Sequence, residues 1–150
     1  MTPRINLSTP NDGFTALRAA EAWLHKSLDP KLLALIKMRA SQINGCAYCL
    51  HMHSAEALKH GESAARLFLL DAWHESALFS AHERAALAWT ETLTRIAETH
   101  APDDVYEEMQ RHFSSDEIIA VSIAIAMINA WNRLAIGARA QHPADLRKAA

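Results

Sequence analysis

The sequence specifies an all-α fold, a single-domain bundle of about seven helices. Three observations carry this. No segment keeps the period-two alternation of a half-buried strand. Apolar residues instead recur every three or four positions along nearly the whole chain. The four Gly and five Pro fall almost entirely at the ends of those periodic segments. With 150 residues, half of them hydrophobic, the chain has enough apolar mass for one core.

Residues 1–12 carry Pro3, Pro10, Asn11 and Asp12 and read as an extended arm. Periodicity starts near Gly13, and Phe14, Leu17, Ala20, Trp23 and Leu24 define a helix ending near Ser27. Asp29-Pro30 opens the next one, with Asp as N-cap and Pro in the first turn. It runs through Leu32, Leu33, Leu35, Ile36 and Met38 to about Gln42, before the Asn44-Gly45 break. A third helix starts at about Cys46 and ends at Gly61. Ser63 caps a segment through Leu67, Leu70 and Trp73, and residues 76–79 connect it onward. Ser80 with Glu83 and Ser114 with Glu117 each form a capping box. The first opens a helix to about His100 and the second a long apolar helix to about Arg139. Between them lies a short helix from Pro102-Asp103 to about Phe113. The tail 141–150 is polar and reads as loose.

A formal net charge of −2 argues against a nucleic-acid or anionic-membrane role. The start, Met1 to Asn6, has no apolar signal core. The uncharged, largely apolar run Ile118 to Asn132 falls short of the ~20 apolar residues of a bilayer span and reads as a fully buried helix. A cytoplasmic protein without membrane association is expected. In that compartment thiols stay mostly reduced, so a Cys-x-x-Cys pair points to catalysis or metal rather than to a structural staple.

The only two cysteines form such a pair, Cys46-Ala47-Tyr48-Cys49, and His53 follows one helical turn later. Residues three and four apart share a helix face, so both sulfurs and the imidazole converge on one patch. A free thiol has pKa ~8.5, leaving about 3% thiolate at pH 7. Two local features favour the thiolate. Cys46 sits at a helix N-terminus, whose unpaired N–H groups attract negative charge, and His53 is placed to take a proton from Cys49. Two adjacent thiols then cycle between dithiol and disulfide, one resolving an adduct on the other. The chemistry is reduction of a peroxide, or disulfide exchange. The helix terminus favours Cys46 as the attacking sulfur, and His53 favours Cys49.

The stretch from Lys37 to Cys49, with His53, Ala57 and Gly61, resembles the core of the alkylhydroperoxidase D / carboxymuconolactone decarboxylase family. Trp73 to Phe79, Glu83 to Glu91 and Asn129 to Leu134 resemble one bacterial branch of it. The resemblance implies an all-helical subunit assembled into trimers or hexamers. It also implies a hydroperoxide or antioxidant disulfide reductase, with Cys46, Cys49 and His53 as the working residues. No tightly bound cofactor is expected. Electrons would come from an external dithiol on a lipoyl-type or thioredoxin-like donor protein. The family's peroxidases also use a Glu twelve residues before the first Cys, where this chain has Ala34.

Glu91 is the candidate to replace that carboxylate, as the only charge between Arg84 and Arg95. A carboxylate beside a His–Cys pair orients the imidazole and stabilises its charged form. Tyr48 offers a hydroxyl to a bound peroxide, or packs half-buried. Ser41 and Asn44 are candidates to orient the loop or cap the Cys helix. His51, two residues past Cys49, projects to a different side of the helix from His53 and is either incidental or lines a pocket entrance. Asn129, Asn132 and Arg133 read as structural or subunit-contact residues, and the four Trp as core or interface. Three other functions remain open. They are lactone decarboxylation, which needs no Cys pair; metal binding by Cys46, Cys49 and His53, with only His51 or a distant His available as a fourth zinc ligand; and a non-enzymatic stress protein. No metal is assigned.

Overall fold

A computed structural model describes residues 2–141. Among them are eight α-helices, one 3-10 turn and no strand. The helices are α1 (Asp12–Ser27), α2 (Pro30–Asn44), α3 (Ala47–Lys59), α4 (Ala64–Leu69), α5 (Ala81–Thr94), α6 (Ile96–Thr99), α7 (Asp103–His112) and α8 (Ser115–Ala138). The 3-10 turn, Leu70–Ala72, follows α4 directly. The expected tail lies, beyond Gln141, outside the described residues.

The bundle is built around α2. Asp29 accepts hydrogen bonds from the Lys31 and Leu32 amides, and Pro30 occupies the first turn. Every residue from Leu32 to Ser41 is buried, because α3, α5 and α8 pack around this helix. Such burial is worth roughly 1.5–3 kcal/mol for each large aliphatic side chain. α2 also carries two buried cations, Lys37 and Arg39. Each has a carboxylate partner: Lys37 Nζ lies 2.6 Å from Glu21 on α1, and Arg39 Nε lies 2.7 Å from Glu91 on α5. Without those partners their burial would be prohibitive.

The two expected capping boxes are both present, at Ser80/Glu83 and Ser114/Glu117. Glu83 also receives the Arg66 guanidinium. Burial pushes the Glu83 carboxyl up, but Arg66 and the Ser80 amide outweigh it and hold it below the usual range. Arg66 in turn lies over the Phe79 ring, which pins the connector between the 3-10 turn and α5.

Three expectations need correction. The helix from Ser80 does not run unbroken to His100. It departs from helical geometry at Arg95 and resumes as the single turn α6. There the Thr99 hydroxyl donates to the Thr92 carbonyl at 2.8 Å, and His100 and Ala101 take positive φ before Pro102. This split gives eight helices where about seven were expected. Second, α8 is long and apolar enough to cross a membrane by length and composition alone. More than half of its apolar window is nevertheless buried by α1, α2, α3, α5 and α7, while Ile119 and Ile136 are exposed, so it is not a fully buried helix. Third, the N-terminal arm is not simply extended. It bends back over the end of α8, where the Arg4 amide donates to the Ala138 carbonyl at 2.8 Å. Leu7 packs there with Tyr48, Trp131 and Ala140 over the two cysteines.

Candidate active site

The α2–α3 junction places the cysteines. α2 ends at Asn44, and Gly45 follows in the left-handed region at φ 69°. A side chain there would meet open space, so it is the backbone conformation that calls for glycine. Cys46 is then the N-cap of α3, and its sulfur accepts from the Cys49 amide at 3.3 Å. The cap of the Cys helix is thus Cys46 itself, not Ser41 or Asn44. Those two tie the junction to α8. Asn44 Nδ2 donates to Asn129 Oδ1 at 2.9 Å and Asn132 Oδ1 at 2.8 Å, and Asn132 Nδ2 donates to Ser41 Oγ at 3.0 Å. Arg133 donates to Asn129, which completes the structural role expected of that triplet.

Cys46 and Cys49 are joined as a disulfide with a Cα–Cα distance of 5.3 Å, and both are buried. A cavity of about 390 Å³ opens over them, within the ~300–1,000 Å³ of small-ligand sites. Cys49 lines it and Cys46 does not. Its walls include Leu7, Tyr48, Met52, Trp131 and Ala135, and its polar side is formed by His53, Glu56, His25, Glu21, Lys37 and Arg18.

His53 is buried, and its Nδ1 lies 2.9 Å from Glu56 Oε2. The hydrogen bond from His53, together with the charges of His53, Lys37 and His25, outweighs burial and holds the Glu56 carboxyl at about 2. An ionised carboxylate only accepts, so Nδ1 carries the proton and Nε2 is the basic nitrogen of the neutral ring. His25 Nε2 stands 3.8 Å from the other Glu56 oxygen.

The carboxylate at the histidine is therefore Glu56 and not Glu91. Glu91 Oε1 accepts from Arg39 Nε and, at 2.8 Å, from Trp73 Nε1. Lys37 lines the cavity, and Arg39 lies two residues further, roughly 200° around the helix. Glu91 is thus bound on the side of α2 that faces away from the cavity. Ala34 is packed among Leu35, Met38, Ala57 and Leu87, with no carboxylate in that apolar cluster. Glu56 had a legible signal that sequence reasoning missed. Cys49, His53 and Glu56 are spaced i, i+4, i+7, within an arc of roughly 60° on α3. Lys37, Glu21, His25 and Arg18 come from α1 and α2 and had no local signal.

Tyr48 is half-buried and lines the cavity, whereas His51 is exposed and lines neither this cavity nor its neighbour. Trp73 and Trp89 are core residues, Trp131 is cavity wall, and Trp23 is exposed.

Residues 11–92 match the carboxymuconolactone decarboxylase family. The chain belongs to that family. It is 40% identical over 102 residues to the uncharacterised protein YdfG of Bacillus subtilis, covering 68% of this chain and 69% of that one. A crystal structure from Agrobacterium tumefaciens superposes with a TM-score of 0.91 at 44% identity, covering 95% of this chain and 99% of that one. That protein is described as one of unknown function, with a suggested role in AhpD-type antioxidant defence. The debrominase Bmp8 shares the fold at 22% identity and a TM-score of 0.80, covering 91% of this chain and 74% of that one. Membership thus brings an AhpD-like all-α fold and a family that includes enzymes.

Proposed function

We propose that this protein is a cysteine-dependent oxidoreductase that reduces organic hydroperoxides through the Cys46/Cys49 dithiol. One observation carries the reading: the redox pair, His53 and its carboxylate Glu56 converge on one cavity, with Cys49 at its surface. The suggested antioxidant role of the Agrobacterium relative points the same way.

In the reduced protein, Cys49 passes its proton to His53 Nε2, and Glu56 holds the ring and stabilises the imidazolium. The thiolate attacks the terminal peroxide oxygen and the O–O bond breaks. The alkoxide takes the proton from His53 and leaves as an alcohol, with Cys49 now a sulfenic acid. Cys46 attacks the Cys49 sulfur, its thiolate favoured by the α3 N-terminus. Hydroxide leaves, takes a proton and departs as water. The balance is one hydroperoxide and two thiols to one alcohol, one water and one disulfide. The disulfide form is the one the structure holds. Cys49 is the attacking sulfur because it lines the cavity and Cys46 does not. An external dithiol restores the pair by exchange. With both sulfurs buried, the donor must be slender enough to enter the cavity. The family's decarboxylase activity has no use for a dithiol, so the Cys pair favours the redox reading.

The test is a thiol titration before and after one equivalent of cumene hydroperoxide. Two thiols lost per chain, restored by a dithiol, and no such cycle in Cys46→Ser or Cys49→Ser, is the expected result. Two thiols that stay free would remove the reading.

A further inference from the structure

The charged groups of the cavity are unevenly engaged: Arg18 and Lys37 match Glu21 and Glu56 in number, but not in pairing. Glu21 and Glu56 are its two acids, and each is already engaged, Glu21 by Lys37 and Glu56 by His53. Arg18 lines the same cavity from the exposed side of α1 and pairs with no carboxylate among the described residues. A second cavity, of about 500 Å³, adjoins the first across Leu7, Ser8 and Tyr48. Its only charged lining residue is Arg4, whose side chain also has no carboxylate partner among the described residues. Two guanidinium groups without a carboxylate partner among the described residues, Arg18 and Arg4, therefore stand at these adjoining cavities. Apart from its charged groups, its two imidazoles, Ser8 and Cys49, the wall of the first cavity is apolar or aromatic: Leu7, Tyr48, Met52, Trp131 and Ala135.

An unpaired cation at the mouth, an apolar wall behind it and a reactive sulfur at the base match one kind of molecule. We propose that the preferred substrate is an amphipathic hydroperoxide bearing a carboxylate, a hydroperoxy derivative of a long-chain acid, with its carboxylate held by Arg18. This rests on the peroxidase reading and names the substrate class for the same site. The chain of the acid lies along Tyr48, Met52 and Trp131, and the second cavity gives it room beyond Tyr48. The bond changes are those already given; Arg18 takes no part in them and acts on binding.

The experiment compares three hydroperoxides in single-turnover thiol oxidation by the reduced protein. They are a C18 hydroperoxy acid, its methyl ester and cumene hydroperoxide. The acid is expected to react with a second-order rate constant about fivefold above the ester's, as one exposed charge pair allows, and salt should erode that preference. Arg18→Gln should lower the rate constant for the acid about fivefold relative to that for the ester, so that the acid-to-ester ratio falls to about one. Since Arg18 is exposed and unpaired, this variant should fold as the parent does. Decanoate should inhibit competitively where decanol at equal concentration does not. Equal rates for acid and ester, or an Arg18→Gln variant that treats them as the parent does, would overturn the substrate assignment and leave the peroxidase reading standing. If none of the three hydroperoxides oxidises the thiols, both fall together.

Discussion

Replacing Glu56 by Gln tests the relay directly. The change keeps the shape and a hydrogen-bond acceptor for His53 Nδ1 but removes the charge that stabilises the imidazolium. The size of the effect follows from Glu56 itself, whose carboxyl moves from 4.5 to about 2 in the folded protein, led by its hydrogen bond to His53. Taken at face value, such a shift is about 3 kcal/mol. The Glu56 side chain is 28% exposed, and several charges share the effect, so solvent screening leaves about 1–2 kcal/mol for the pair with His53. Proton transfer from Cys49 then costs that much more, and oxidation of the dithiol at pH 7 slows about 5- to 30-fold. Stopped-flow loss of thiol with excess cumene hydroperoxide measures this. Glu91→Gln is the matched comparison, expected to leave the rate within about twofold because Glu91 lies beyond α2 from the cavity. A Glu56→Gln rate within twofold of the parent, or a Glu91→Gln rate that falls further than it, would refute the assignment of the relay.

The same carboxyl sets an acid limit on stability. Its folded value lies below its ordinary one, so its contribution is complete above pH ~4.5 and fades as pH falls toward 2. Acid denaturation followed by circular dichroism should therefore be shallower between those values in Glu56→Gln than in the parent. Gly45→Ala forces a side chain into φ 69° and should cost about 1 kcal/mol, a fall of about 2–4 °C in Tm by calorimetry. Asn132→Leu leaves buried Ser41 without its Asn132 partner and Asn44 with Asn129 alone, and should cost about 2 kcal/mol in urea denaturation. Glu91→Leu strips buried Arg39 of a carboxylate and should destabilise by about 3 kcal/mol while sparing the chemistry.

What the sequence made legible is what local physics controls. The caps Asn11, Asp29, Ser63, Ser80 and Ser114 mark helix starts because a side-chain oxygen satisfies amides two or three residues on. Of these, Asp29, Ser63, Ser80 and Ser114 are readable from the chain alone. The Cys46–Cys49–His53 turn is equally local, and so is the failure of His51 to share its face. The break at Arg95 is less so, since it depends on the Thr99 hydroxyl reaching back to the Thr92 carbonyl. What could not be read is which side of α2 each buried cation faces. Lys37 and Arg39 are nearly adjacent in sequence, and nothing local tells their carboxylate partners apart. Only the packing of α1 on one side of α2 and α5 on the other sorts Glu21 to the first and Glu91 to the second.

That sorting bears on the missing glutamate. Position 34 is alanine, buried in the apolar cluster with Leu35, Met38, Ala57 and Leu87, and supplies no carboxylate. With the acid at Glu56 instead, thiol, base and carboxylate all ride on α3, at i, i+4 and i+7. Their mutual geometry is then set by one helix and not by the spacing between two. α2 keeps an indirect part through Lys37, whose charge helps hold Glu56 ionised and is itself neutralised by Glu21 on α1. Removing Glu21 would leave Lys37 buried and unpaired except for Glu56, drawing that carboxylate away from His53. Glu21→Gln should thus slow dithiol oxidation although Glu21 never touches the sulfur. Its rate should recover in Glu21→Gln/Lys37→Met, which removes the stranded charge. A double variant as slow as the single one would show that α1 acts on the site by shape alone.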